Sequence, residues 1–274
     1  MSEMKIYYAR HSGFCFGVKR AIKMAIDATR GRKVVYSLGP LIHNPIVVDN
    51  LSKKGIITVS NINEIKGRHV IIRSHGIHPA IGERLKKNFA IIDATCPKVR
   101  RAQLYAQKLA KEGYKVIIVG EKDHPEVKGL LGYAGQNGEI YTEGFKMKNR
   151  RIGIVPQTTL NIEYLTQAVS KMLPYVLEMK IYNTICNETI LRINETLEIA
   201  KKVDVMIIVG GKNSANTTRL YQMCKRIRPS YHIETADEIL PDWFNNNRSI
   251  GITAGASTPK EQVRKIVRCL KRGF

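Results

Sequence analysis

Three cysteines stand where chemistry is expected. Cys15, Cys96 and Cys186 each end a run of aliphatic and aromatic residues, IYYARHSGFC, IIDATC and IYNTIC, and each leads into a helical pattern. Such a run reads as a buried strand, so each thiol is delivered to the first turn of the following helix. There the helix dipole and nearby amides favour the thiolate, the form that binds metal. Three thiolates suit zinc with a histidine as fourth ligand, or three corners of a 4Fe-4S cluster with one iron left open. The sequence has no paired C-x-x-C spacing to decide between them. Cys224 and Cys269 lie mid-helix among Leu, Ile and Met and read as inert core residues.

A second set of residues recurs between the cysteines. Strand-like VVYSLG, VIIVG and MIIVG end at Gly39, Gly120 and Gly210, and four residues beyond each stand His43, His124 and Ser214. His75, Thr158 and Ser257 follow the later strands of the same units, and Asn216 follows Ser214 by two. These are donors at strand ends, several beside helix N-termini, where free amides and the dipole bind phosphate. Many donors with little fixed positive charge suit a phosphate or diphosphate. Glu126 is the only carboxylate near this ring in sequence and is the candidate proton donor. The pair Gly210-Gly211 adds a weak phosphate-binding signal.

The elements that must position these groups repeat at about 80 to 90 residues, too long for a solenoid module and right for a small α/β domain. Strands alternating with helices imply parallel sheets covered by helices, with ligands gathering beyond the carboxyl ends of the strands. The expected fold is therefore α/β: three small parallel-sheet domains around a pseudo-threefold axis with a central active-site cavity. The boundaries read as 14–96, 97–186 and 187–274. The third unit runs out of chain before its fourth strand, and residues 1–13, with the strand KIYYA, are expected to complete it. HNPIVVDNLSKKG reads as a short helix with His43 and Asn44 in its first turn, and the helix opened by Pro97 is expected to stop before Gly113.

Composition narrows the class. The chain has 274 residues, 43% of them apolar, enough for a sizeable core. No apolar run approaches the roughly 20 residues of a membrane span, and MSEMKIYYAR has no signal-peptide character. Five cysteines without an export signal point to a reducing, cytoplasmic setting. The net charge of +22 is spread through GRK, KGR, KVRR, KNRR and KRIRP, which suits attraction of a small anion or an acidic redox partner. No zinc-finger, RRM or helix-turn-helix signature supports nucleic-acid binding. The repeats already supply internal symmetry, so a monomer is expected.

HSGFCFGVKRAI, GPLIHNP, IRSHGI, IIDATCP, DHPEVKG, QTT, NTICN, GGKNSAN and ITAGAS, in this order and spacing, resemble the 4-hydroxy-3-methylbut-2-enyl diphosphate reductase family over essentially the whole chain. The resemblance implies an iron-sulfur oxidoreductase at the last step of the methylerythritol phosphate route to isoprenoids. It implies that Cys15, Cys96 and Cys186 hold a 4Fe-4S cluster whose fourth iron meets the substrate hydroxyl. His43, His75, His124, Ser214, Asn216 and Ser257 would then hold the diphosphate, with Glu126 and Thr158 handling the hydroxyl and proton delivery. Ferredoxin or flavodoxin, usually acidic, would be the electron donor. This chain departs from the family pattern at Ala215, where a second serine is common and only a backbone amide is left, at Glu188 near Cys186, and at Asn194. The competing readings are a quinolinate synthase, which would need a dicarboxylate site, and an iron-sulfur sensor that binds nucleic acid, for which the charge is the sole argument.

Overall fold

Short runs rich in Val and Ile become strands, and the amphipathic stretches between them become helices. The computed structural model describes residues 4–31, 34–144, 151–244 and 248–272. Residues 32–33 and 148–150 of two basic runs, and 1–3 and 273–274 of the expected third domain, lie outside the described residues. The chain runs β1 (Lys5–Tyr8), α1 (Phe16–Thr29), β2 (Val35–Leu38), α2 (Pro45–Ser52), β3 (Ile56–Val59), β4 (His69–Ile72), α3 (Pro79–Asn88) and β5 (Ala90–Asp93). It continues with α4 (Pro97–Lys111), β6 (Lys115–Val119), α5 (Pro125–Ala134), β7 (Gly138–Ile140), β8 (Arg151–Pro156), α6 (Ile162–Met172) and β9 (Glu178–Ile181). It ends with α7 (Asn187–Ala200), β10 (Val205–Val209), α8 (Ala215–Lys225), β11 (Ser230–Ile233), β12 (Ser249–Ala254) and α9 (Lys260–Arg272).

The strands form three four-stranded sheets of one order: β3-β2-β4-β5, β7-β6-β8-β9 and β11-β10-β12-β1. Every pairing is parallel. In the third sheet β1 lies beside β12, from Lys5 opposite Ser249 to Tyr8 opposite Ile252. By compactness the chain divides into two units. One comprises Met1–Lys19, Ile42–Asn50 and Ile190–Phe274; the other comprises Arg20–Leu41 and Leu51–Thr189.

In the first unit, Val205, Ile207, Val209, Ile250 and Ile252 form one face of the third sheet and pack with Val263, Ile266 and Leu270 of α9. Met206 and Ile208 form the other face, packed with Ile193, Ala200, Leu220 and Cys224. In the second unit, Val116, Ile118 and Val155 meet Ala102, Ala106 and Leu109 of α4 and Val127 and Leu130 of α5. Central strands covered on both faces explain why VMIIV and VIIV are unbroken apolar runs rather than alternating ones. Gly153 on β8 has no side chain because Leu109 lies where one would go; a Cβ there would sit 2.7 Å from its methyl carbons.

One helix start differs from expectation. Asn44 caps α2 instead of lying within it: its Oδ1 accepts the Val47 N–H at 3.2 Å, and its carbonyl accepts the Val48 N–H at 3.0 Å. Pro45 is the reason. It suits the first helical position and pushes the residue before it out of the helical region, so His43 stays in the preceding loop.

Cys224 lies in the core with no exposed surface, and burial pushes its thiol up to about 12. At about pH 8 only ~1 in 10,000 of such thiols is ionised, so iodoacetamide should leave Cys224 unmodified in the folded chain and label it after denaturation, as read by peptide mass.

Candidate active site

Each of the three sequence-predicted cysteines follows an edge strand, and each is held by the same backbone bond. The Cys96 N–H donates to the Ser74 carbonyl at 2.9 Å, the Cys186 N–H to Thr158 at 2.8 Å, and the Cys15 N–H to Ala256 at 3.2 Å. These acceptors lie just past β4, β8 and β12, the strands that neighbour β5, β9 and β1. The parallel ladder thus runs on beyond the last strand residue and fixes the turn that carries the thiol. Helix hydrogen bonding then begins at the cysteine itself: Arg100 donates to the Cys96 carbonyl at 2.8 Å and Lys19 to that of Cys15 at 3.0 Å. Cys96 is the N-cap of α4, with Pro97 in the first turn. All three thiols are half-buried at helix N-termini.

In the second unit these contacts run on into the polar ring. Glu126 is 1% exposed, and both its carboxylate oxygens are held by Thr158: Oε1 accepts the backbone N–H at 2.6 Å and Oε2 accepts the hydroxyl at 2.9 Å. The carbonyl of the same Thr158 receives the Cys186 N–H and, at 3.4 Å, the Thr189 hydroxyl. His124 is the N-cap of α5, its Nδ1 accepting the Glu126 N–H at 3.2 Å. An Nδ1 that accepts leaves the ring proton on Nε2, which makes that nitrogen a donor. The ring of His75 meets that of His124 edge-on, centroids 5.4 Å apart. Thus His75, His124, Glu126, Thr158 and Cys186 form one connected string, and Cys96 is tied to Ser74, the neighbour of His75.

The first unit holds a second string. Ser214 is the N-cap of α8, its Oγ accepting the Thr217 N–H at 3.4 Å. Ala215 and Asn216 are the next two residues, in the turn whose amides have no intrahelical acceptor. The Asn216 Nδ2 is buried and donates to nothing among the described residues. Ser257 donates to the His43 carbonyl at 2.9 Å and follows Ala256, the acceptor for Cys15. Gly211 makes this possible, because a Cβ there would sit 2.9 Å from the same His43 carbonyl. Gly210, at φ +144, leaves room for Thr217 and Thr258. The glycine pair therefore serves close packing.

Two residues of α7 that the motif reading passes over hold the loop before Cys15. Arg192 is 2% exposed and donates to the carbonyls of Ala254 at 2.6 Å and Gly13 at 2.8 Å. Glu195 accepts the N–H groups of Arg10 and His11, each at 2.8 Å, and the His11 ring nitrogen at 3.0 Å. Against the upward push of burial, those donors hold the Glu195 carboxyl below its ordinary range. The signal for Arg192 was present: Thr189, Arg192, Ile193, Thr196 and Ala200 are buried at helical spacing, and an arginine on such a stripe must be bonded inside. Of the departures, Glu188 and Asn194 are exposed and Ala215 is half-buried.

The family model described as LytB protein matches residues 6–271. Over 281 residues the chain is 47% identical to the 4-hydroxy-3-methylbut-2-enyl diphosphate reductase of Aquifex aeolicus, covering 98% of this chain and 97% of the relative. Over 275 residues it is 46% identical to the enzyme of that name from Syntrophotalea carbinolica, covering 96% and 97%. A solved structure of (E)-4-hydroxy-3-methyl-but-2-enyl diphosphate reductase, described as the terminal enzyme of the non-mevalonate pathway, matches at a TM-score of 0.72 and 44% identity over 98% of this chain and 99% of that one. The E-1-hydroxy-2-methyl-but-2-enyl-4-diphosphate reductase of Plasmodium falciparum matches at 0.91 and 30% identity, over 98% and 88%. With three sheets of one order, cysteines at equivalent strand ends and a family match along almost its whole length, the chain belongs to the LytB protein family.

Proposed function

We propose that this chain is an oxidoreductase that converts 4-hydroxy-3-methylbut-2-enyl diphosphate to isopentenyl and dimethylallyl diphosphate, the last step of the methylerythritol phosphate route to isoprenoids. The observation that carries the reading is Thr158, which holds the carboxylate of Glu126 on one side and the backbone of Cys186 on the other. The proposed proton donor and a thiol ligand are thereby linked through one residue. The donor set fits an iron-sulfur group: three thiols, each at a helix N-terminus and each pinned by the same amide bond. Cys15, Cys96 and Cys186 would hold a 4Fe-4S cluster, which when bound supplies the two electrons and an open iron for the substrate hydroxyl. The reaction consumes two electrons and two protons, breaks the allylic C–O bond and releases water.

The chain's own part is binding and proton delivery. His43, His75, His124, Ser214, Asn216 and Ser257 hold the diphosphate. The orphaned Nδ2 of Asn216 and the Nε2–H of His124 are donors of the kind that anion needs, and at position 215 a backbone amide replaces the second serine hydroxyl. Glu126, steered by Thr158, delivers a proton to the departing hydroxyl. The arrangement of three α/β domains, 14–96, 97–186 and 187–274 with 1–13, about one cavity belongs to the same proposal, as do a monomeric state and a cytoplasmic setting. Among the described residues no helix is long and apolar enough to cross a membrane.

The donor is an acidic electron-transfer protein such as ferredoxin or flavodoxin. A groove of about 520 Å³ in the first unit supports this, being lined by Arg10, Lys260, Arg264, Arg268 and Lys271 with Ser12, three residues before Cys15. Opposite charges of this density raise encounter rates and set orientation.

Product analysis tests the reaction: anaerobic, iron-loaded protein with a low-potential reductant should release both five-carbon diphosphates, and intact cluster without product would refute the reading. Cys96→Ser should lower bound iron, whereas Cys224→Ser should leave it at the wild-type level. Glu126→Gln should retain iron and substrate affinity while turnover falls by about 100-fold or more, the usual worth of a positioned proton donor. Arg264→Glu with Arg268→Glu should raise the KM for ferredoxin about tenfold at low salt and leave the dithionite-driven rate unchanged.

A further inference from the structure

The second unit contains a cavity of about 600 Å³ that shares no lining residue with the substrate-binding set proposed above. It opens beyond the ends of β2 and β4, and Arg73, Arg84, Lys128, Asn61, His78 and Asp123 contribute its polar lining. Arg73 follows the last residue of β4. Its guanidinium lies over Gly39, where a Cβ would sit 2.6 Å from Nη1. Gly39 has φ +76, so glycine serves both the turn and the room for the cation.

Arg73 is the group in this cavity whose bonding is incomplete. Among the described residues its Nε, shut off from solvent, donates to nothing, and no carboxylate pairs with the guanidinium. Burial pushes its pKa down. The repeat supplies an internal control. Gln157 occupies the same place in the second sheet, one residue before the acceptor of a cysteine amide and packed against the glycine that ends the neighbouring strand. Gln157 is fully buried with both ends bonded, its Oε1 accepting the Glu121 N–H at 3.0 Å and its Nε2 donating to Thr159 at 2.9 Å. At the equivalent position in the first sheet, a cation replaces this satisfied amide and faces a cavity instead of a partner.

A desolvated cation without a counter-charge is unfavourable, and a planar guanidinium matches the oxygens of a phosphate group two at a time. Arg84 and Lys128 add two exposed cations at the rim, against the single carboxylate of Asp123, which Lys128 meets at 3.3 Å. We propose that this cavity is a second anion site, separate from the substrate site, which takes a phosphate or diphosphate group on Arg73. The group can belong to inorganic diphosphate or to a diphosphate ester such as the product.

Equilibrium dialysis of the iron-loaded chain against radiolabelled inorganic diphosphate tests this. The expected stoichiometry is about two per chain, falling to about one in Arg73→Gln, since a single bidentate charge pair dominates such a site. Asn216→Asp removes the other site, so failure of the substrate reading would show in that variant and failure of the present proposal in Arg73→Gln. Displacement of the Arg73-dependent fraction by isopentenyl diphosphate assigns the ester as ligand; displacement by inorganic phosphate alone assigns the free anion. Should Arg73→Gln not fold, the exposed pair Arg84→Ser and Lys128→Ser should weaken the same fraction about tenfold. One site per chain in the wild type, or a second site that neither set of substitutions alters, overturns the proposal.

Discussion

The chemistry of the second unit depends on one residue that bonds in two directions. Thr158 offers an N–H and an O–H to the two oxygens of Glu126, while its carbonyl receives the amide of Cys186. A carboxyl group that is 1% exposed is costly to bury unless its oxygens find hydrogen-bond partners. Serine or threonine alone presents a hydroxyl close enough to its own amide to satisfy both oxygens at once. Thr158 can do this because β8 is held in register with β6, Pro156 opposite Val119, and because the Gln157 N–H carries the ladder one step further to the Val119 carbonyl at 2.9 Å. Sheet register thus sets the distance between the acid and the strand end.

The three sheets solve the same problem with different residues. In each, a carbonyl just past the third strand accepts the amide of a cysteine just past the fourth, so equivalence lies in the backbone and leaves the side chains open to vary. The helix that follows the central strand shows the same economy. Asn44, His124 and Ser214 each cap their helix with a side-chain acceptor, and the Nδ2 of Asn44 donates in turn to Gln262 at 3.2 Å. His43, one residue before its cap, contributes a carbonyl to Ser257. Parallel strands make this possible, because all their carboxyl ends lie on one side of a sheet and the helix N-termini rise from there.

Two buried arginines are bonded differently. Arg192 is only 2% exposed, and carbonyls of Ala254 and Gly13 accept from two of its nitrogens. Its work is local: together with Glu195 it fixes the loop that ends at Cys15. Among the described residues the Nε of both arginines donates to nothing, but no carbonyl accepts from the Nη atoms of Arg73, which lines a cavity. The remaining excess of cations is largely at the surface, and on α9 it is concentrated along one groove, where it can act on partners through the field rather than through fixed contacts.

The sequence alone determined the strand and helix order, the parallel class and the three cysteines. Unbroken apolar runs ending in glycine or a polar residue have one economical meaning, and their recurrence removes most of the ambiguity of a single motif. It also marked Glu126, Thr158 and the residues of the polar ring, since donors at equivalent strand ends are not independent observations. Tertiary structure decided which of these touch. That Thr158 clasps Glu126, 32 residues away, and Ser257 meets His43, 214 residues away, follows from sheet register and loop packing, which no local pattern encodes. The exact helix start at Pro45, the packing role of Gly210 and Gly211, the buried bonds of Arg192 and the unsatisfied guanidinium of Arg73 belong to the same class. Each depends on which atoms of distant segments are near, and hydrogen-bond satisfaction can be judged only after the chain has closed on itself.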